Sequence, residues 1–131
     1  MKLNCQGLEI SIELRRPDNE GWMSTDVRIQ VPSMSSKFQC TIERQEWQEF
    51  INALNRLQAK IGQSYSESWG NMEENMEFTF TLVERGALFG SYRFSPNNFS
   101  LGPVLSGSFE ADQTFVHTWA TAAVESIAHE R

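Results

Sequence analysis

Between Met76 and Phe94 the chain alternates. Phe78, Phe80 and Leu82 lie on one parity and Glu77, Thr79 and Thr81 on the other. That two-residue period belongs to a strand with one buried face. Glu84-Arg85-Gly86 interrupts the run, and Gly86 supplies the positive φ that a short hairpin loop requires. On the return, Leu88, Tyr92 and Phe94 share a parity, with Gly90 among them. The pattern predicts a hairpin in the middle of an antiparallel sheet.

The same period occurs three times before it. Leu8, Ile10, Ile12 and Leu14 alternate with Glu9, Ser11 and Glu13, until the Pro-, Asn- and Gly-containing stretch from Arg15 to Gly21 stops the strand. Val27, Ile29 and Val31 mark a second strand, with Trp22 at the core rim near its start. Phe38, Cys40 and Ile42 mark a third. Short connections favour an antiparallel meander. At Glu43 the period lengthens to about 3.6. Trp47, Phe50, Ile51, Leu54, Leu57 and Ile61 form one apolar side of a helix, with Thr41 as its N-cap and Gly62 at its end. Acids crowd the N-terminal half and Arg56 and Lys60 the other, which complements the helix dipole.

Gln63 to Asn75 is the least regular stretch. Tyr65 and Trp69 suit a short edge strand, and Gly70-Asn71 a turn. Ser95 to Asn98 reads as another turn. Leu101 to Phe109 reads as a strand whose glycines and proline suit an edge or a bulge. Asp112 then caps a last helix with Phe115, Val116, Trp119, Ala122, Ala123 and Ile127 on its apolar side. The expected fold is α+β, one domain over residues 1–131, without an internal sequence repeat. The expected architecture is a single antiparallel sheet of about six or seven strands in the order βββ-α-(β)βββ-α, with both helices on one face.

Charge narrows the partners. A net charge of -6 and a pI near 4.9 disfavour nucleic acid and anionic membrane, and permit a basic protein partner. Met1 to Gly7 lacks the apolar core of a leader, and no run is long enough for a membrane span, so a cytoplasmic location is expected. Cys5 and Cys40 are too few and too far apart for a metal motif, and read as two reduced thiols.

The search for chemistry yields no catalytic, cofactor or metal residues. Gly86 to Gly90 lacks the lysine and helix of a phosphate loop, and Ser106-Gly107-Ser108 is a strand fragment rather than a nucleophile turn. His117 and His129 stand on the last helix twelve positions apart, so they cannot share one metal; Glu125 and His129 read as a solvated face near the terminus. The acids sit at outward parities, without the burial that tunes carboxylates for catalysis. A binding protein is expected rather than an enzyme. The acidic segment has two readings. It is a solvated loop, or it is a recognition surface in which Trp69 anchors a partner among Glu67, Glu73, Glu74 and Glu77, with adaptable contacts from Met72 and Met76.

Ser106 to Phe115 carries a family likeness. A strand ending in an aromatic and an acid, then Asp112-Gln113-Thr114 opening the last helix, resembles the WapI-type immunity proteins of bacterial contact-dependent toxin systems. The helix core Phe50-Ile51-Asn52-Ala53-Leu54 and the hairpin through Gly86 are similar too, and the likeness runs from about Leu8 to Ile127. Asp112-Gln113-Thr114 also has a physical reading, with Asp112 accepting helix N–H bonds and Gln113 tying the preceding strand. The likeness implies a protein that neutralises a toxin by covering its surface, and brings no catalytic residues. The chain departs from the pattern in its acidic 64–75 segment and Gly-rich last strand, so a partner surface does not transfer. The alternative reading is a non-catalytic structural or adaptor domain that forms homo-oligomers through a sheet edge.

Overall fold

The computed structural model describes residues 1–97 and 102–128. The elements are β1 (Lys2–Cys5), β2 (Leu8–Leu14), β3 (Trp22–Val31), β4 (Met34–Glu43), α1 (Arg44–Ala59), β5 (Tyr65–Gly70), β6 (Met76–Leu82), β7 (Ala87–Phe94), β8 (Leu105–Asp112) and α2 (Phe115–Ala128). Strands β1 to β4 make one antiparallel sheet in sequence order, and β5 to β8 make another. The class is α+β, as the alternation requires. The single sheet of six or seven strands is replaced by two sheets of four. The reason is α1. Its 16 residues carry the chain about 24 Å along one helix axis, and its buried stripe packs on β5 rather than returning the chain to the free edge of β4.

Several boundaries differ from the sequence pattern for local reasons. β1 was not expected, because Leu3 is its one fully buried residue and a single position carries no period. β3 starts at Trp22, since Met23 and Thr25 join the buried parity. β8 starts at Leu105; Asn98 and Leu101 lie outside the described residues. Its pairing with β7 runs unbroken from Leu105↔Phe94 to Asp112↔Ala87, so its glycine marks no bulge. Gly90 faces Phe109 and Gly107 faces Tyr92 across the strands. Each aromatic ring occupies the space that a Cβ on the opposing glycine would need.

The helix ends shift as well. Thr41 lies inside β4; the N-cap of α1 is Glu43, whose N–H donates to Glu46 Oε2 at 2.8 Å. Ile61 falls beyond the last turn and is exposed, while Gly62 takes the left-handed φ of 91° that ends the helix run. Asp112 closes β8 and accepts the Thr114 N–H at 2.9 Å, just ahead of α2. Val116, Trp119, Ala120 and Ala123 are the buried stripe of α2, and Phe115 stays outside.

The order four strands then a helix occurs twice. The junctions match at the level of backbone bonds. Arg44 N–H donates to the Gly21 carbonyl, and Gln113 N–H to the Gly86 carbonyl, both at 3.0 Å. Gly21 and Gly86 hold φ of 87° and 88° in the second hairpin of each half. The side chains around these junctions differ, so the repeat is one of backbone path. The connections differ in length: residues 6–7, 15–21 and 32–33 join the strands of the first sheet, and residues 71–75, 83–86 and 95–104 those of the second.

One core joins both inner faces and both helices. On α1, Phe50 stacks against Trp69 and Phe78 with ring centroids at 4.5 and 5.7 Å. On α2, Trp119 meets Phe80 and Phe109 at 5.9 and 6.1 Å. Both helices therefore lie on the inner face of the second sheet. The Trp47 indole N–H reaches the Ala123 carbonyl at 3.0 Å and links one helix to the other.

Gln113 ties the β6–β7 hairpin to the end of α1, rather than the preceding strand as expected. Its amide donates to the Val83 and Ala87 carbonyls at 2.6 and 2.9 Å, and its Oε1 accepts the Gly62 N–H at 2.9 Å. The side chain is buried, so its loss takes the acceptor from the Gly62 N–H and a second donor from two carbonyls that also accept backbone N–H groups within the β6–β7 hairpin. Gln113→Ala should lower stability by roughly 1–3 kcal/mol. Urea unfolding checks this: the midpoint should fall with the slope unchanged, and an unmoved midpoint would show that water replaces the side chain without cost.

Candidate functional site: a buttressed loop beside a hydroxyl-crossed sheet face

Among the residues expected to form a recognition surface, three are committed to the fold. Met76 is buried in β6. Trp69 is 7% exposed. Its indole N–H donates to the Glu46 carbonyl at 2.9 Å, and its ring lies in the stack with Trp47, Phe50 and Phe78. As an inward residue of β5 under α1 it is a core side chain and cannot serve as an exposed anchor. Glu67 has the same inward parity. Arg56 on α1 holds both of its oxygens, at 2.6 and 3.2 Å, and the Tyr65 hydroxyl donates to it at 2.6 Å. The Arg56 guanidinium, with help from Tyr65, holds the Glu67 carboxyl below its ordinary range.

The other four stay at the surface, around the five-residue link between β5 and β6. Met72 is 65% exposed, Glu74 and Glu77 are exposed, and Glu73 is half-buried. The link is held from below. Asn71 Oδ1 accepts the Met76 N–H at 2.9 Å, and the Asn71 amide donates to Asn75 Oδ1 at 3.1 Å. Asn75 donates in turn to the Ser95 carbonyl at 3.0 Å. Both asparagines are buried. Glu46, 6% exposed, accepts the Met72 N–H on Oε1 at 2.7 Å while its Oε2 caps α1. Glu74 sits at φ 61°, a conformation that side-chain-bearing residues adopt at a cost. Hydrogen bonds thus tie both ends of the link to the fold beneath it.

Glu46, Asn71 and Asn75 escaped the sequence reading. Glu46 stands at a polar helical position, and only the docking of the link over the start of α1 buries it. The spacing of the two asparagines around Met72-Glu73-Glu74 was the available signal, since Asn favours such local bonding.

The two outer sheet faces differ in chemistry. On the first sheet Arg28 faces Lys37 and Glu13 faces Asp26 across the strands. On the second, the row Ser68, Thr79, Ser91 and Ser108 crosses all four strands with hydroxyls alone. Ser68 and Thr79 share a hydrogen bond of 3.0 Å. A depression of about 350 Å³ joins this face to the loop, lined by Ser68, Gly70, Asn71, Glu74, Glu77 and Arg93 among others.

Cys5 and Cys40 lie on β1 and β4, the two edges of the first sheet. Two strands separate them, an offset of about 14 Å that no disulfide spans. Burial, with Glu73, Glu46 and Asp26 nearby, pushes the Cys40 thiol up to about 12. Among the described residues no three His, Cys, Asp or Glu side chains gather as a metal site requires, and no helix is long and apolar enough to cross a membrane. His129, read together with Glu125 as a solvated face, lies outside the described residues.

The arrangement is an α+β domain with an exposed, buttressed loop beside a sheet face crossed by a row of hydroxyl side chains. The model of the Immunity protein WapI-like family matches residues 2–129, and the chain belongs to that family. No curated protein matches. Among solved structures, the crystal structure of a protein with unknown function from the DUF155 family of Prochlorococcus sp. NATL2A aligns over 95% of this chain and 97% of its own, at 7% identity and a TM-score of 0.41. That likeness is too low to carry an argument.

Because Arg56 depresses the Glu67 carboxyl, the pair stabilises the fold above the ordinary carboxyl value of 4.5, and the contribution is lost as pH falls through the lowered folded value. Glu67→Gln should therefore unfold at a lower urea concentration than wild type near neutral pH, with the gap closing as the medium is acidified toward about pH 3. A gap that stays constant across that range would mean that the ion pair contributes nothing.

Proposed function

We propose that this chain neutralises a protein toxin by binding it and covering its active surface, without chemistry of its own. The match to the immunity family across residues 2–129 carries the reading. The proposed contact is the loop tip of Met72, Glu73 and Glu74, together with Glu77. Its support is physical. The loop is longer than its counterpart in the first half, and buried polar groups hold it in place. A preordered loop loses little entropy on binding. Its acids, on a chain of net charge -6, would speed encounter with a basic toxin domain and orient it. Cytoplasmic residence follows from the proposal, since an immunity protein must meet the toxin where it acts.

The experiment is co-expression and pull-down with the C-terminal domain of a large secreted protein encoded immediately beside this chain. Rescue of growth and a stable complex are expected; a toxic domain that neither binds nor is silenced would end the reading. Within such a complex, Glu73→Lys combined with Glu74→Lys should weaken affinity about tenfold or more and flatten its dependence on salt. Titration calorimetry at two ionic strengths checks this, and an affinity equal to wild type would reject the loop as the contact.

A further inference from the structure

Phe89 is 47% exposed in the middle of β7. Among the described residues it is the exposed large apolar side chain in the body of a strand; Met34, Ile61, Met72, Val104, Phe115 and Val124 lie at a strand start, in loops or on helices. Its neighbours across the strands are Thr81 and Glu110. The adjoining row consists of hydroxyl side chains, and beyond it Glu77 faces Arg93 at 3.9 Å. Four residues along β7, about 13 Å, separate Phe89 from Arg93 at the border of the depression that leads to the loop. Nothing in the packing of the fold requires a phenyl ring at this outward position, because the inward parity already supplies Leu88, Tyr92 and Phe94 to the core.

We infer that the outer face of the second sheet is the centre of the partner interface, with Phe89 as its apolar anchor and the acidic loop as its rim. The inference rests on the immunity reading and names the kind of partner surface that fits. That surface is a protein patch with an apolar pocket for the phenyl ring, flanked about 13 Å away by lysine or arginine side chains that meet Glu74 and Glu77. The hydroxyl row suits such a centre. Short hydroxyl side chains lose little freedom on contact, and none carries a charge that must be stripped of water. A charged rim around an aromatic-anchored middle is the usual division of labour in protein interfaces. On this face Glu77 and Arg93 lie on one side of the hydroxyl row and Glu110, across from Phe89, on the other. The outer face of the first sheet, with its like-charged cross-strand pairs, lacks both the anchor and the hydroxyl row. Phe89 takes the role that Trp69 cannot fill from inside the core.

Three variants, each at an outward position, test this by calorimetry against the neighbouring secreted protein's C-terminal domain. Phe89→Asp should weaken binding by about 30-fold or more. Ser108→Arg, which adds bulk and charge to the hydroxyl row without touching Phe89, should also weaken it. Gln30→Arg on the first sheet should bind as wild type does. Circular dichroism and unfolding midpoints matching wild type establish that the variants fold. If wild type binds and Phe89→Asp binds equally well, or if Gln30→Arg is damaged as much, the face is not the interface, while the immunity reading stands. If wild type neither binds nor protects, the immunity reading fails, and this inference with it.

Discussion

The structure depends on one aromatic stack. Trp47 and Phe50 of α1 meet Trp69 of β5 and Phe78 of β6, with the closest ring centroids at 4.5 Å. These rings are where the first half of the chain is fastened to the second. They also explain why the strands divide into two sheets. A helix whose apolar stripe is satisfied by the first strand of a new sheet does not return the chain to the edge of the old one. Burial of each ring is worth a few kcal/mol, and the tilted and stacked geometries add to it.

The stack also fixes the candidate site. Trp69 donates to the carbonyl of Glu46, and the Glu46 carboxylate accepts from Met72 in the loop above. Two hydrogen bonds, both on Glu46, therefore connect the surface loop to the centre of the core. The second half keeps the strand order of the first but changes the lengths of its connections, this hairpin among them. Where β1 and β2 are joined by residues 6–7, β5 and β6 are joined by residues 71–75, and the extra length is spent on exposed Met72 and Glu74 rather than on core. A loop that grows while its base stays tied is how a rigid scaffold acquires a recognition element.

Electrostatics follows the same division. Glu67, whose carboxyl is held down by Arg56, and Glu46, which receives two backbone N–H groups, serve the interior. Glu74 and Glu77 remain outside and border the hydroxyl-lined face. Net acidity seen in the composition is thus not one feature but two. Part of it is internal bonding, and part is surface charge available to a partner.

Alternation alone determined β2, β6 and β7, and the 3.6 period determined the buried side of α1 from Trp47 to Leu57, because each of those patterns repeats several times within its own element. Asp112-Gln113-Thr114 was legible as the opening of the last helix and as a mark of the immunity family. Tertiary structure decided the rest. β1 carries one buried residue and so has no period to read. The division into two sheets rests on which edge α1 covers, and no local pattern encodes that. Trp69 and Glu46 are the plainest cases: one looked like a surface anchor and the other like a solvent-facing helix residue. Both are buried for the same reason, that the start of α1 and the end of β5 close on each other across a separation in sequence that local spacing does not register.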